Sequence, residues 1–394
     1  MIELPRDFID EMIQTLGRDE AAQLCFALTE TVSPVSVRRH CEVAENAVPW
    51  CKYGEYLSER PTFTLDPLFH AGEYYVQEAS SMFIAQAYAR MDSDLVSAVL
   101  DLCAAPGGKS TLWRTLIPDE ATLVANEPNR QRAEILNENC IKWGHPRTVV
   151  TNAWPKDFGK NCRAVFDVIA ADVPCSGEGM FRKDMNSRAE WSLKNVEKCA
   201  ALQRSIIEDV WPALRAGGWL VYSTCTFNTK ENEENVRWIC ENLGAKVVRI
   251  PVEKEWGIVE TDCGCHFYPH RAKGEGFFLA LLQKDGDGKT AKLPQKWDKL
   301  RPFSREMYVE KGKKKVPQHW MALTDCEERE HFPSWELNRE DALRYLRHEA
   351  LQLPPEASRG YVIVCYEGRP LGFVNNLGTR ANNMYPPEWR IRNL

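Results

Sequence analysis

The sequence of 394 residues is 44% hydrophobic and 27% charged, which is typical of a soluble globular protein with two or three domains. Its formal net charge of −6 excludes a uniformly basic nucleic-acid-binding protein, so any contact with nucleic acid requires a local basic stretch. No apolar run approaches the roughly 20 residues that span a bilayer, and the N-terminal MIELPRDFIDEMIQ lacks the features of a signal peptide. These features predict a cytoplasmic protein with no membrane partner.

The 14 cysteines are scattered singly, as expected where thiols stay reduced. No CxxC pair occurs, and the CGCH stretch at residues 263–266 has neither a usual zinc spacing nor a second pair of ligands elsewhere. We therefore predict no metal site.

Residues 1–90 are expected to form a small N-terminal α+β domain. Residues 91–285 alternate between strand and helix candidates, which predicts a doubly wound, Rossmann-like α/β sheet. Its seven strand candidates are, in chain order, SAVLDLC, TLVAN, RTVVT, AVFDVIAAD, WLVYSTC, CHFYPH and GFFLALL. The last two are expected to form a hairpin at one edge.

Helix candidates lie between these strands. KSTLWRTL follows the first strand, and NRQRAEILNENCIKWG follows the second and ends at Gly144. TKENEENVRWICENLG predicts an amphipathic helix after the fifth strand. Before that strand, a long helix is predicted to run up to RAGG, with an apolar face formed by Leu202, Ile206, Val210 and Leu214.

Residues 286–394 are expected to comprise a polar linker and a β-rich C-terminal domain. From Lys296 to Lys315, eight basic residues accompany three acidic ones. Such a run can bind RNA phosphates. On charge alone it fits a solvated linker equally well.

The sequence DLCAAPGGKS follows the first strand, where nucleotide-like ligands bind in such sheets. A phosphate-binding loop is excluded because Cys103 stands where its first glycine is required, and the G-x-G-x-x-G fingerprint is absent. The small residues at 104–108 let the backbone approach a ligand, and Glu127, after the second strand, can accept hydrogen bonds from both ribose hydroxyls. A ribose-binding acid in a loop that lacks a pyrophosphate site favours S-adenosylmethionine, which contains a ribose but no phosphate. The alternative interpretation is that the loop is a structural turn and that Glu127 is a surface residue.

Two cysteines follow neighbouring strands of the predicted sheet. Asp172 and Cys175 follow the fourth strand, and Cys225 follows the fifth. A single cysteine is more often a small buried hydrophobe, but two thiols beside a cofactor loop favour methylation of a pyrimidine carbon. A thiolate that adds to carbon 6 of cytosine makes carbon 5 nucleophilic enough to take a methyl group.

The attacking thiol must be ionised, which a nearby cation or helix N-terminus promotes. Lys109 is the candidate cation for Cys225. A helix start with Thr229 as N-cap is the candidate helix terminus.

Several motifs resemble those of the Sun-type RNA cytosine-C5 methyltransferases, namely DLCAAPGGKS, NEPNRQR, DVPCSGEGMFRKD and YSTCTFNTKENEENV. The stretches FTLDPLFHAGEYYVQEASSMF, FYPHRAKGEGFF and PLGFVNNLGTRANNMYPPEWR resemble the bacterial methyltransferase F branch, which modifies 16S ribosomal RNA. The resemblance implies an S-adenosylmethionine-dependent enzyme with a family-specific RNA-binding domain over residues 1–90 and a PUA-like RNA-binding C-terminal domain. Its partner would be ribosomal RNA, free or in an assembled small subunit, and we expect a monomer.

The resemblance also implies a role for each site residue. Cys225 would be the nucleophile, Cys175 would assist product release and removal of the carbon-5 proton, and Asp172 would contact the base beside the methionine end of the cofactor. Glu127 would hold the ribose. The residues that would cradle the cofactor are Cys103, Ala104, Ala105, Pro106, Gly107, Gly108 and Lys109.

Relatives carry an aspartate after the third strand, near the adenine. This chain has Trp154 at about that position, and either Asn152 or the backbone of Ala153 would serve instead.

Other classes of protein fit less well. A DNA cytosine-C5 enzyme would use a Pro-Cys nucleophile without a Thr-Cys partner, and a small-molecule methyltransferase would not need the basic stretch and the β-rich tail. A non-catalytic RNA-binding assembly factor would not need the two thiols. A transfer-RNA methyltransferase remains open, because the preference for ribosomal RNA rests on the terminal domains.

Overall fold

The computed structural model describes residues 3–292, 297–312 and 314–392. Its helices are α1 (Arg6–Leu16), α2 (Arg18–Glu30), α3 (Pro67–His70), α4 (Ile84–Tyr88), α5 (Gly108–Leu116), α6 (Arg130–Trp143), α7 (Pro155–Asn161), α8 (Met185–Glu190), α9 (Leu193–Val210), α10 (Glu233–Leu243), α11 (His319–Leu323) and α12 (Arg339–Leu346). No helix among these described residues is both long and apolar enough to cross a bilayer.

The strands form four sheets. They are β1 (Val35–Arg39), β2 (Ala47–Val48), β3 (Cys51–Leu57), β4 (Tyr74–Val76), β5 (Ala98–Asp101), β6 (Thr122–Asn126), β7 (Thr148–Thr151), β8 (Phe166–Asp172), β9 (Leu214–Thr224), β10 (Ala245–Val247), β11 (Val259–Glu260), β12 (Cys265–Phe267), β13 (Phe277–Lys284), β14 (Tyr308–Lys311), β15 (Lys314–Pro317), β16 (Ser334–Glu336), β17 (Gly360–Tyr366), β18 (Arg369–Asn376) and β19 (Ala381–Asn383).

The central sheet has the order β11-β12-β13-β9-β8-β5-β6-β7, and β10 also pairs with β13. Strands β5 to β9 are mutually parallel, whereas β12 and β13 pair antiparallel as the predicted hairpin. The predicted count of seven strands was wrong, because β10 and β11 bring the sheet to nine. These two strands have only two or three residues each, too few for a recognisable apolar pattern.

Apolar side chains cover both faces of this sheet. On one face, Phe158 of α7, Ile207 of α9 and Val236 of α10 share a buried cluster with Ile169 of β8. The opposite face is covered by α4 and α5 and by the N-terminal part of the chain. This two-sided burial explains why the parallel strands read as continuous apolar runs.

The long helix α9 differs from its prediction. It ends at Val210, two residues before Pro212, and Leu214 already belongs to β9. Ile206 and Val210 of the predicted apolar face are buried as expected, whereas Leu202 is 48% exposed. Pro212 lacks the amide hydrogen that the next helical hydrogen bond needs, and a 3-10 turn over Trp211–Ala213 leads the chain into β9.

The N-terminal part packs against the thiol-bearing loops and the helix after the cofactor loop. Helices α1 and α2 pack on each other, and the Phe8 ring centroid lies 5.1 Å from that of Phe181 and 6.4 Å from that of Phe227. The buried Arg38 of β1 donates hydrogen bonds to the hydroxyls of Thr111 and Thr115 on α5.

The segment after the central sheet was predicted as a polar linker, but residues 297–303 pack against the sheet. Leu300 is buried, Pro302 forms an antiparallel bridge with Thr151, and the amide of Phe303 donates to the carbonyl of Val150 at 2.9 Å. These residues therefore extend the central sheet beyond β7.

The basic run continues into an exposed β-hairpin formed by β14 and β15. Lys296 and Lys313 of this run lie outside the described residues. The C-terminal sheet has the order β16-β17-β18-β19, and residues of α12 contribute to its buried core.

Candidate active site

The predicted site residues follow parallel strands of the central sheet. The cofactor loop follows β5, Glu127 follows β6, Asn152 follows β7, and Cys175 and Cys225 follow β8 and β9. The carboxyl ends of parallel strands meet at one edge of a sheet, where ligands bind in this class of fold.

The cofactor loop is fixed by hydrogen bonds to its neighbours. The amide of Ala104 donates to the carbonyl of Asn126 at 2.8 Å, and the Asn139 side chain donates to the carbonyl of Pro106 at 2.8 Å. Gly107 has a φ of +121° and starts α5. A side chain is strained in that conformation, which accounts for glycine at this turn.

A cavity of about 280 Å³ opens beside the loop. Cys103 and Glu127 line one part of it, and Trp154, Pro174 and Leu202 line another. The carboxylate of Glu127 is largely buried, and its Oε1 accepts a hydrogen bond from the amide of Asn129 at 3.0 Å. An acidic group at one side of a mainly apolar cavity suits an adenosine, which has a polar ribose and a flat base.

Asn152 lies behind this cavity and is not among the residues that line it. Its side-chain amide donates to the carbonyls of Glu127 and Pro128, both at 2.8 Å. The amide of Ala153 is also engaged, donating to the side chain of Asn126 at 2.9 Å. The Asn152 side chain therefore supports the Glu127 turn, and the contact of Asn152 or the Ala153 backbone with adenine stays a prediction. Trp154, 55% exposed, lies on the cavity wall instead.

Lys109 and Asp172 form an ion pair between the cofactor loop and the end of β8. The Nζ of Lys109 donates to Oδ2 of Asp172 at 2.9 Å, and the hydroxyl of Ser223 donates to Oδ1 at 2.8 Å. Burial lowers the pKa of Lys109, but Asp172 and the nearby Cys225 outweigh it and raise the pKa above its usual value. Lys109 is therefore a charged group within electrostatic reach of Cys225.

The two thiols are in direct contact. Their Sγ atoms are 3.2 Å apart, and the amide of Cys225 donates to the sulfur of Cys175 at 3.4 Å. The hydrogen bond to Cys225, reinforced by burial, raises the pKa of Cys175 well above its usual value. Either sulfur can donate in this contact.

Thr229 is not the N-cap that was predicted. Helix α10 begins at Glu233, its N-cap is Asn232, and Thr229 contributes only a backbone carbonyl to the amide of Glu234. The first turn carries Glu233 and Glu234. Lys109 is thus the better-placed of the two candidates for stabilising a thiolate.

The CGCH stretch forms hydrogen bonds and buried contacts. His266 Nε2 lies 2.6 Å from Glu233 Oε1, and Cys263 and Cys265 are buried. Among the described residues, no group of three or more metal-ligating side chains is assembled for a metal.

Sequence reasoning missed Ser223 and Trp154 as site residues. Ser223 stands in an apolar strand, and only the register of β8 against β9, which pairs it with Asp172, brings it to the site. For Trp154, the available signal in the sequence was its position shortly after β7, at the edge of the sheet where ligands bind.

Three family models match this chain. Residues 89–283 match 16S rRNA methyltransferase RsmB/F, residues 4–79 match the N-terminal domain of 16S rRNA methyltransferase RsmF, and residues 332–391 match the methyltransferase RsmF PUA domain. Ribosomal RNA small subunit methyltransferase F of Erwinia tasmaniensis is 30% identical over 406 residues, covering 86% of this chain and 84% of the relative. This chain belongs to the ribosomal RNA small subunit methyltransferase F family.

Other similarities agree with that family. The Photobacterium profundum methyltransferase F is 36% identical over 265 residues, covering 65% of this chain and 55% of the relative. Two solved structures from Pyrococcus horikoshii share the fold. A methyltransferase homolog has a TM-score of 0.58 at 24% identity, and the match covers 71% of this chain and 100% of the homolog. The structure of NSun6 with SFG has a TM-score of 0.61 at 20% identity, and the match covers 72% of this chain and 99% of NSun6.

Membership of the methyltransferase F family confirms the expected enzyme class. Proteins of the RsmB/F family are RNA cytosine-C5 methyltransferases, and S-adenosylmethionine is their methyl donor. The Rossmann-like sheet and the C-terminal PUA domain are likewise confirmed.

Proposed function

We propose that this enzyme methylates carbon 5 of a cytosine in 16S ribosomal RNA through a covalent bond between Cys225 and carbon 6 of the base. The observation that carries this proposal is the contact between the two thiols, 3.2 Å apart. The Lys109–Asp172 ion pair joins the cofactor loop to the strand that leads into Cys175. Two thiols and a carboxylate at one sheet edge suit a covalent reaction on a pyrimidine.

The cavity beside the loop supports binding of S-adenosylmethionine. Glu127 would accept hydrogen bonds from the ribose hydroxyls, and Trp154 and Leu202 would form an apolar wall. The loop from Cys103 to Lys109 would approach the cofactor with its backbone, and Asp172 would lie beside its methionine end. The bound cofactor supplies an electrophilic methyl group.

Cys225 would act first. Its thiolate bonds to carbon 6 of the cytosine, and carbon 5 becomes nucleophilic and takes the methyl group. Asp172 would contact the base, and Lys109, which is paired with it, would offset the negative charge that accumulates during addition. Lys109 would favour the thiolate before attack.

Cys175 would act second, next to the adduct, because its sulfur lies 3.2 Å from that of Cys225. Its pKa is raised chiefly by the hydrogen bond to Cys225. Once Cys225 is bonded to carbon 6 as a thioether, it no longer has a proton to exchange with Cys175. With its own proton passed to water, Cys175 would accept the carbon-5 proton; the electrons of that C–H bond would then re-form the double bond between carbons 5 and 6, and the Cys225 thiolate would leave carbon 6.

The substrate class rests on the family and on the PUA domain. The substrate would be ribosomal RNA, free or within an assembled small subunit, and the enzyme would act in the cytoplasm. One chain carries every residue named above, so a monomer suffices for the reaction. Bisulfite sequencing of RNA from cells that lack the protein should reveal the loss of a 5-methylcytosine from 16S ribosomal RNA. A site lost only from transfer RNA would contradict the ribosomal substrate.

Replacement of each thiol tests the chemistry. Cys225→Ala should abolish methylation and any covalent link to RNA. Cys175→Ala should accumulate a protein–RNA adduct that survives denaturing electrophoresis, whereas Cys199→Ala, at a half-buried position on α9, is the control. An adduct in Cys225→Ala and none in Cys175→Ala would reverse the two roles. Unchanged methylation in both variants would show that the two thiols serve only in packing.

A further inference from the structure

Two fully buried carboxylates lie next to the thiol-bearing loops. Glu178 follows Cys175 by three residues and Glu231 follows Cys225 by six, and both side chains are 0% exposed. Burial of a carboxylate is costly unless hydrogen bonds compensate for the lost water. The reaction described above uses neither group, so their burial requires another reason.

Each carboxylate holds the backbone of the opposite thiol loop. Oε2 of Glu231 accepts a hydrogen bond at 3.0 Å from the amide of Ser176, the residue after Cys175. Oε2 of Glu178 accepts hydrogen bonds at 2.6 Å and 3.1 Å from the amides of Phe227 and Asn228, just beyond Cys225. The two loops are therefore tied together reciprocally.

Asn228 connects the two carboxylates. Its Nδ2 donates to Oε1 of Glu178 and to Oε1 of Glu231, in both cases at 2.8 Å, and its Oδ1 accepts from the amide of Glu231 at 2.9 Å. We name Glu178, Asn228 and Glu231 the carboxylate clasp. The carboxylate oxygens of the clasp accept hydrogen bonds from neutral N–H groups, and these donors are themselves held in place by the surrounding structure. The clasp therefore resists a change of geometry.

The carboxylate clasp is also fixed to the surrounding helices. Nε2 of Gln203 on α9 donates to Oε2 of Glu231 at 2.7 Å and to the carbonyl of Pro174 at 2.9 Å. The indole of Trp191 donates to Oε1 of Glu178 at 3.0 Å. The spacing of the thiol loops thus depends on the packed helices as well as on the loops themselves.

We propose that the carboxylate clasp sets the distance between the sulfurs of Cys175 and Cys225, and that Glu178 and Glu231 are positioning residues for product release. The catalytic part of this inference rests on the proposed function. Of the two thiols, addition to carbon 6 needs only Cys225, whereas release needs Cys175 within reach of the adduct. Weakening the clasp should therefore slow release more than addition.

Glu231→Gln is the sharpest variant. Ser176, Gln203 and Asn228 all present N–H groups to this carboxylate, so an amide at 231 faces donors with its own N–H group. Rotation of Gln203 does not relieve this, because its Oε1 already accepts from the Tyr222 hydroxyl at 2.9 Å. Glu178→Gln repeats the test from the other loop. Glu233→Gln is the matched control, since Glu233 is buried nearby but pairs with His266.

The first readout is the share of enzyme trapped on RNA during turnover. Glu231→Gln and Glu178→Gln should raise that share and slow release by about tenfold or more, because a displacement of roughly 1 Å can cost reacting groups up to about a hundredfold in rate. Glu233→Gln should leave the share unchanged. If methylation and adduct fall together in all three variants in step with the thermal unfolding temperature, the role is structural and the inference is wrong.

The second readout needs no RNA and is independent of the proposed function. Diamide oxidises two neighbouring thiols to a disulfide and is itself reduced to a hydrazine, so the rate of Cys175–Cys225 bond formation, followed by mass spectrometry, reports their proximity. The clasp variants should form this disulfide more slowly than the parent and Glu233→Gln. Equal rates in all proteins would overturn the inference even if the methylation chemistry stands. Slower rates combined with no adduct in Cys175→Ala would support the clasp and reject the proposed roles of the thiols.

Discussion

Gly179 and Cys225 are joined by a backbone hydrogen bond of 2.8 Å, from the amide of the glycine to the carbonyl of the cysteine. The two chain segments approach so closely at this point that a β-carbon at residue 179 would lie 2.6 Å from the carbonyl oxygen of Gly276 and 2.9 Å from that of Cys225. All of these neighbours are backbone atoms, which cannot rotate away. The close approach that places Cys225 therefore requires glycine at residue 179.

Gly179→Ala should displace Cys225 and abolish methylation. Gly177→Ala is the control, because Gly177 has a φ of +77° and nothing within 4 Å of an added β-carbon. That control should cost only about 1 kcal/mol of folding free energy through backbone strain. Methylation assays combined with urea unfolding separate the two effects. Equal activity in both variants would contradict a steric requirement for glycine at 179.

Glu127→Ala should weaken S-adenosylmethionine binding by about 1.5–3 kcal/mol, the usual worth of hydrogen bonds to a charged group. Titration calorimetry with the cofactor measures this directly. Glu134→Ala removes an exposed carboxylate from α6 and should leave the affinity unchanged. Unchanged affinity in Glu127→Ala would mean that the ribose binds elsewhere.

Asp101 should make stability depend on pH in the cofactor-free protein. Burial, opposed by a hydrogen bond from Ser110 and reinforced by the charge of Asp172, raises the pKa of Asp101 to about 7. Because the folded state holds the proton more tightly than the unfolded state, the stabilisation is complete below the ordinary pKa of about 4 and is lost as pH rises through about 7.

Asp101→Asn keeps the acceptor for Ser110 and removes the titration. Between about pH 5 and about pH 8, the free energy of unfolding should fall more steeply in the parent than in this variant. Urea unfolding across that range provides the comparison. Parallel curves would show that Asp101 does not titrate there.

The exposed β14–β15 hairpin should contact RNA. Replacing Lys311, Lys314 and Lys315 with Gln should lower RNA affinity and reduce the salt slope by roughly one unit for each phosphate that is no longer neutralised. Binding measured at several salt concentrations gives the slope. The control variant carries the same loss of charge at exposed lysines elsewhere, Lys160, Lys246 and Lys254. An identical salt slope in the parent and the hairpin variant would favour the alternative interpretation, in which this basic run is a solvated linker.

The sequence predicts the central strands well because burial on both faces requires continuous apolar runs. The TLVAN run lies in β6, and Gly144 ends α6 in the left-handed conformation, as the glycine suggested. It predicts the long helix less well. Ile206 and Val210 of the predicted series are buried, but Leu202 is exposed and Leu214 lies in β9, beyond the end of the helix.

The carboxylate clasp could not be predicted from the sequence. Glu178 lies in a glycine-rich turn and Glu231 in a strongly acidic stretch, and both patterns are typical of exposed residues. Their burial depends on how two loops about 50 residues apart meet, which is a tertiary property. The N-cap of α10 was missed for a related reason, because Asn228, Glu231 and Asn232 are used in hydrogen bonds that hold the thiol loops.

The bridge between Thr151 and Pro302 also affects how the central sheet meets other molecules. A sheet of nine strands would otherwise expose the amides and carbonyls of β7 as a template for pairing with another chain. Residues 297–303 cover that edge, and proline there offers no amide to a further strand. At the opposite edge β11 has only two residues. Both ends of the sheet are thus protected against strand-by-strand aggregation, which matters for a protein with 44% hydrophobic residues.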